Sequence, residues 1–81
     1  MKLIWSIEAL NQLKKLERSI AKRIYKKVGE VAENPWRSVR KLASKDYFKT
    51  RIGDYRAILD IVEDRIEVLK VGHRKNIYKG L

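Results

Sequence analysis

Cysteine is absent from these 81 residues. Disulfides, thiol nucleophiles and thiolate metal ligands are excluded with it. Histidine occurs once, as His73, so a structural zinc site has no ligand set. The carboxylates Asp46, Asp54, Asp60 and Asp64 are scattered among turns and strands, and two-metal hydrolysis has no paired ligands among them. No metal or cofactor is expected. The longest apolar runs are a few residues, far short of a membrane span. Met1-Lys2-Leu3-Ile4-Trp5 begins like a targeting segment, but Ser6 and Glu8 follow at once; the apolar stretch is too short for a signal-peptide core. The expectation is a soluble cytoplasmic protein with no membrane partner.

Acidic residues are the other shortage. Twenty Lys and Arg stand against ten Asp and Glu, a net charge of +10 on one small domain spanning residues 1–81. Self-repulsion at that charge works against the compact state, and an anionic partner relieves it. Nucleic acid and an acidic protein are the two candidates. Aromatic residues inside the basic runs favour nucleic acid.

The pattern of apolar residues divides the chain into three parts. Lys2 to Ser6 reads as a short strand. Ser6 is a plausible helix cap with Glu8 in the first turn, and Ala9, Leu13 and Leu16 then recur at helical spacing. Ser19 is positioned to cap a second helix, whose apolar stripe is Ile20, Ile24, Val28 and Val31. Asn34-Pro35 ends it, because proline disfavours helix in the residue before it. Trp36 to Ser44 reads as an irregular basic linker. Tyr47–Ile52 and Tyr55–Val62 flank Gly53-Asp54, a two-residue hairpin signal. A second turn near Glu63-Asp64 leads into a strand from Arg65 to Val71, and a short tail starts at Gly72. The order β-α-α-β-β-β predicts an α+β fold with two N-terminal helices packed on one face of a curved antiparallel sheet.

Two basic surfaces follow from this layout. On the second helix Lys22/Lys26 and Arg23/Lys27 place like charges one turn apart, which costs a few tenths of a kcal/mol per pair. That face is either an ordinary solvated surface or an RNA- or ribosome-binding one. On the strands, Lys49 and Arg51 share a face. Arg56 lies just past the tight turn and reaches the same surface, and Arg74 and Tyr78 follow the last strand and close over it. Cations neutralise a phosphodiester and its developing charge, and a tyrosine stacks on a base. With no carboxylate cluster, the chemistry open to such a face is attack by RNA's own 2′-hydroxyl. His73 has an imidazole suited to proton transfer. It is either a proton-transfer group or a residue that orients the loop. Trp5, Trp36, Tyr47 and Tyr55 read first as packing residues.

Arg51-Ile52-Gly53-Asp54-Tyr55-Arg56, then Val71-Gly72-His73-Arg74 and Tyr78, resembles the RelE/ParE toxin superfamily, and within it the RelE-type mRNA interferases. The resemblance covers essentially the whole chain. It implies a microbial-RNase-like domain that enters the ribosomal A site, meets ribosomal RNA there, and cuts the exposed mRNA without a metal. By position it implies phosphate binding and 2′-hydroxyl activation at Lys49 and Arg51, and transition-state stabilisation at Arg56. It implies general acid or leaving-group stabilisation at Arg74, and nucleotide stacking at Tyr78. An arginine stands at Arg51 where a lysine is usual. Arginine stays charged, so Lys49 or no protein base at all serves as proton acceptor. The resemblance also implies a cognate RelB-type antitoxin. Two alternatives stand beside it: a ParE-like gyrase inhibitor, which shares the scaffold but whose type tends to lack the basic face and final tyrosine that this chain keeps, and a non-catalytic RNA- or ribosome-binding module, which the composition fits equally well.

Overall fold

Ser6 joins the first strand, the first helix and the far end of the chain. Its hydroxyl oxygen accepts from the Ala9 N–H at 3.0 Å, capping a helix, and its O–H donates to the Leu69 carbonyl at 3.0 Å. The strand before it is β1 (Lys2–Trp5) and the helix after it is α1 (Ile7–Lys14). The computed structural model describes residues 1–43 and 46–80. The remaining elements are α2 (Arg18–Glu33), a single-turn α3 (Pro35–Ser38), β2 (Arg40–Lys41), β3 (Phe48–Ile52), β4 (Tyr55–Val62) and β5 (Arg65–His73). The fold is α+β, with α1 and α2 packed against one five-stranded sheet of order β1-β5-β4-β3-β2. No described helix is long and apolar enough to cross a membrane.

Four details depart from the sequence reading. The sheet is mixed: β1 runs parallel to β5, while the other neighbours are antiparallel. A parallel neighbour needs a long crossover, which the helices and intervening strands supply. α2 starts at Arg18, so Ser19 lies inside the helix and its hydroxyl donates to Glu17 at 3.2 Å instead of capping. The stretch read as an irregular linker contains α3 and β2; its last residue, Ser44, lies outside the described residues. The last strand continues past Val71 to His73.

β1 stops at Trp5 and leaves the upper half of β5 without a strand neighbour on that side. α1 covers the gap, and Gln12 Oε1 accepts from the Val71 N–H at 2.8 Å. An irregularity in the β4–β5 register between Ile58 and Leu59 inserts Leu69 opposite no partner. Such a bulge bends the sheet. The apolar stripe of α2 then meets the near face. Ile24, Val28 and Val31 are buried with Ala9, Ile52, Ala57, Leu59, Ile66, Val68 and Val71 in one cluster. Alternation along β3 puts Ile52 into this core and leaves Lys49 and Arg51 on the opposite face.

Candidate nucleic-acid interface

The face turned away from the helices carries cations directly opposite one another. Arg51 is the cross-strand partner of Arg56, and Lys49 is the partner of Arg40 on β2. Like charges directly opposite in a sheet are destabilising, and here two such pairs lie side by side. All four line one cleft of about 280 Å³, together with Ser38, Thr50 and Tyr78. Among the described residues, no carboxylate lines it.

Each side chain is held differently. Arg56 Nη1 donates to the carbonyls of Gly53 and Tyr55, both at 2.8 Å, which draws the guanidinium toward the hairpin tip. Gly53 makes that tip possible, with φ of +58°, a conformation that costs an L-residue about 1–2 kcal/mol. The Lys49 ammonium sits over the Tyr78 ring, 5.5 Å from its centroid. Tyr78 reaches this position because the tail folds back after β5. The N–H groups of Asn76 and Ile77 both donate to the His73 carbonyl at 2.9 Å, and Ile77 is 3% exposed. Ile77 packs over Gly72, where a Cβ would stand 3.4 Å from Ile77 Cδ1, at contact distance.

Arg74 and His73 lie elsewhere. The Arg74 N–H donates to the Asp54 carbonyl at 2.8 Å, and its guanidinium faces the Asp54 carboxylate at 3.8 Å. Arg74 thus sits beside the hairpin tip and does not line the cleft. His73 pairs across the sheet with Tyr55, and the two rings meet edge to face at 5.4 Å. Its Nδ1 accepts from the Lys75 N–H at 3.1 Å. Tyr55 packs on the helix-side core, so strand alternation sends the imidazole to the face opposite the cleft. Trp5 stacks on Tyr25 at 5.6 Å, and Trp36 meets Phe48 edge-on while remaining 64% exposed.

The basic face of α2 adjoins the cleft. Arg23, Lys26 and Lys27 line a second depression with Glu30, Ile52 and Gly53, and Arg51 is a wall of both. Arg23 lies over the hairpin: a Cβ at Gly53 would stand 3.2 Å from its Nη2. Lys22 is exposed on α2 but lines neither depression. Sequence reasoning missed Arg40, because a two-residue strand carries no periodicity. It also missed Ile77, although an aliphatic residue among the polar ones of Arg74–Lys79 was a usable signal.

Comparison with known proteins identifies the scaffold. A family model described as the ParE toxin of type II toxin–antitoxin systems, parDE, matches residues 3–78. The chain belongs to that family, within the RelE/ParE toxin superfamily. No curated protein sequence matches significantly. Among solved structures, a chain of the RelBE2 toxin–antitoxin complex of Mycobacterium tuberculosis is similar at TM-score 0.82 and 24% identity, over 90% of this chain and 96% of that one. A chain of the RelB–RelE complex of Methanococcus jannaschii is similar at 0.77 and 25%, over 96% and 98%. A chain of the intact Escherichia coli RelBE complex is similar at 0.74 and 26%, over 89% and 94%. The protein is a toxin of the type II toxin–antitoxin class.

Proposed function

We propose that this RelE/ParE-superfamily toxin is a metal-independent endoribonuclease that cleaves mRNA in the ribosomal A site. The observation that carries the reading is the pair of opposed like-charge couples, Arg40/Lys49 and Arg51/Arg56, in one cleft that no carboxylate lines among the described residues. A sheet that bears this repulsion is relieved by a phosphodiester. In the proposed reaction the 2′-oxygen attacks the adjacent phosphorus as its proton leaves, and the P–O5′ bond breaks. The 5′-oxygen takes up a proton, giving a 2′,3′-cyclic phosphate and a 5′-hydroxyl.

Lys49 and Arg51 hold the phosphate, and Arg56, fixed by its two carbonyl contacts, bears on the charge of the phosphorane. Lys49 is the only group of the four able to act as a proton acceptor, since arginine stays charged. Tyr78 stacks on a base. Arg74 serves the leaving oxygen after swinging from Asp54, an exposed pair whose contribution is about 0–1 kcal/mol. His73 positions the start of the tail. The α2 cations Lys22, Arg23, Lys26 and Lys27 dock on ribosomal RNA, with Arg51 joining that surface to the cleft. A RelB-type antitoxin is the inhibitory partner; the similar structures of M. tuberculosis, M. jannaschii and E. coli are toxin–antitoxin complexes by description.

The match to a ParE toxin model favours a second reading, inhibition of DNA gyrase on the same scaffold. One experiment separates them. Ribosomes programmed with a defined mRNA are incubated with the protein, beside a gyrase supercoiling reaction. The expected result is cleavage with a 5′-hydroxyl product, no cleavage when the scissile nucleotide is 2′-deoxy, and unchanged supercoiling. Inhibited supercoiling with intact mRNA would establish the gyrase reading. Ribosome binding without either activity would leave a binding module.

A further inference from the structure

We propose that Arg40 anchors a second phosphate, one nucleotide away from the scissile phosphate, so that the cleft takes a strand and not a single phosphodiester. This deepens the RNA reading above and rests on it.

Arg40 belongs to a strand of only two residues, Arg40–Lys41, at the free edge of the sheet. Alternation sends its two side chains to opposite faces. Lys41 meets Asp46 at 3.5 Å. Arg40 lines the cleft and has no acidic partner among the described residues. The edge is fixed by Thr50, the one buried polar residue of the described core. Its hydroxyl donates to the Ser38 carbonyl at 3.1 Å, tying the chain just before β2 to β3.

Geometry separates Arg40 from Arg56. Arg40 is one strand from Lys49, Arg56 is one strand from Arg51 on the other side, and Lys49 and Arg51 are two residues apart on β3. Strand spacing and residue rise then put the backbones of Arg40 and Arg56 about 12 Å apart on the diagonal. Arg56 is drawn further away by its contacts with Gly53 and Tyr55 at the hairpin. Four cations exceed what one singly charged phosphodiester neutralises, and the two at the ends of the diagonal are placed for neighbouring phosphates.

The test uses the full chain and a single-stranded RNA hexamer made uniformly 2′-O-methyl, which binds without being cut. Affinity is followed by fluorescence anisotropy over a salt series, and cleavage on programmed ribosomes supplies KM and kcat. For single strands each phosphate contact contributes about 0.7 to the slope of log K against log salt. Arg40→Ala and Arg40→Gln should each lower the slope by about that amount and weaken binding about tenfold. KM should rise by a similar factor with kcat unchanged, and Arg40→Lys should restore the slope. Thr50→Val should lose part of the same affinity while Arg40 is intact. Wild-type slope and affinity in Arg40→Ala, with the unsubstituted protein binding normally, would overturn the proposal alone. A fall in kcat without a change in slope would also overturn it, by placing Arg40 at the reacting phosphate. Failure of the unsubstituted protein both to bind the hexamer at any salt concentration and to cut mRNA on programmed ribosomes would remove the RNA reading and this proposal together; cleavage on ribosomes with an unchanged KM in Arg40→Ala would overturn the proposal alone.

Discussion

Ile77→Ala should release the tail and leave the fold standing. Ile77 is 3% exposed, yet it lies outside the main buried cluster on the helix side of the sheet. It packs by Gly72 on β5. The rest of the tail is held by polar contacts: Asn76 and Ile77 N–H to the His73 carbonyl, Lys79 N–H to the Asn76 carbonyl at 3.1 Å, and Lys70 Nζ to the Lys79 carbonyl at 3.2 Å. A hydrogen bond of this kind contributes about 1 kcal/mol net, while ordering each backbone residue costs about 1–2 kcal/mol. The tail is therefore marginal without its apolar anchor. Truncation of a buried isoleucine to alanine costs about 2–5 kcal/mol, and a mobile tail closing the gap places this site at about 2–3 kcal/mol. The docking equilibrium then falls roughly 30- to 150-fold. Amide hydrogen exchange reads this directly. Protection at Asn76, Ile77 and Lys79 should fall toward that factor, while the amides of Ala57, Leu59 and Val68 keep their relative order as the slowest. Cleavage should drop to the level of Tyr78→Ala, and the double substitution should cost no more than either alone, since both act through one ring. Equal loss of protection in the tail and in β4 and β5 would refute the argument, because Ile77 would then belong to the main core. So would unchanged cleavage with a released tail.

Two further substitutions probe the hairpin. Arg56→Ala should lower single-turnover cleavage on ribosomes by about 10²–10³ while binding changes little, and Arg56→Lys should recover only part, because an ammonium held by the two carbonyls lacks the further N–H donors with which a guanidinium meets the phosphate; wild-type cleavage by Arg56→Ala would remove Arg56 from the chemistry. Gly53→Ala should lower the unfolding free energy by about 1–2 kcal/mol through its positive φ, moving the denaturation midpoint down, and displace the Arg23 guanidinium that a Cβ would meet at 3.2 Å, so an unchanged midpoint would show that the turn relaxes into another conformation.

What the sequence made legible was local. Gly53 announces the hairpin because the turn needs its positive φ, and the alternation on either side fixes which residues face the core. The α2 stripe Ile24, Val28 and Val31 is legible because helical spacing brings those positions to one side. The same alternation brings Lys49, Arg51 and Arg56 to one face, and the register sets Arg51 directly opposite Arg56. What was not legible depends on partners distant in the chain. Nothing in Lys2–Trp5 says that it will lie parallel to Arg65–Val68. The bulge at Leu69 changes which residues share a face, and it falls where α1 takes over from β1 beside β5. Chain order suggests that Arg74 closes over the same face as Arg56; the structure sets it beside the Asp54 carboxylate instead.

The division of labour between the two faces explains why similarity of fold leaves the activity open. Folding uses the helix-facing residues of the sheet, Ile52, Ala57, Leu59, Ile66, Val68 and Val71, which bury in one cluster with residues of α1 and α2. The cleft uses the alternate residues of the same strands, Lys49, Arg51 and Arg56. Because side chains alternate with a period of two, one set can change without disturbing the other. A backbone shared with RelE-containing complexes at 24–26% identity therefore reports on the buried set. It is silent on whether the exposed set cuts RNA or serves a gyrase inhibitor. That question falls to the opposed pairs Arg40/Lys49 and Arg51/Arg56, whose repulsion has no use in folding. If the cleft were an idle solvated face, replacing one member of each pair with a neutral residue would raise stability and leave toxicity intact. If it holds a strand of RNA, the same replacements raise stability and abolish cleavage, the opposition expected of a site built at the fold's expense.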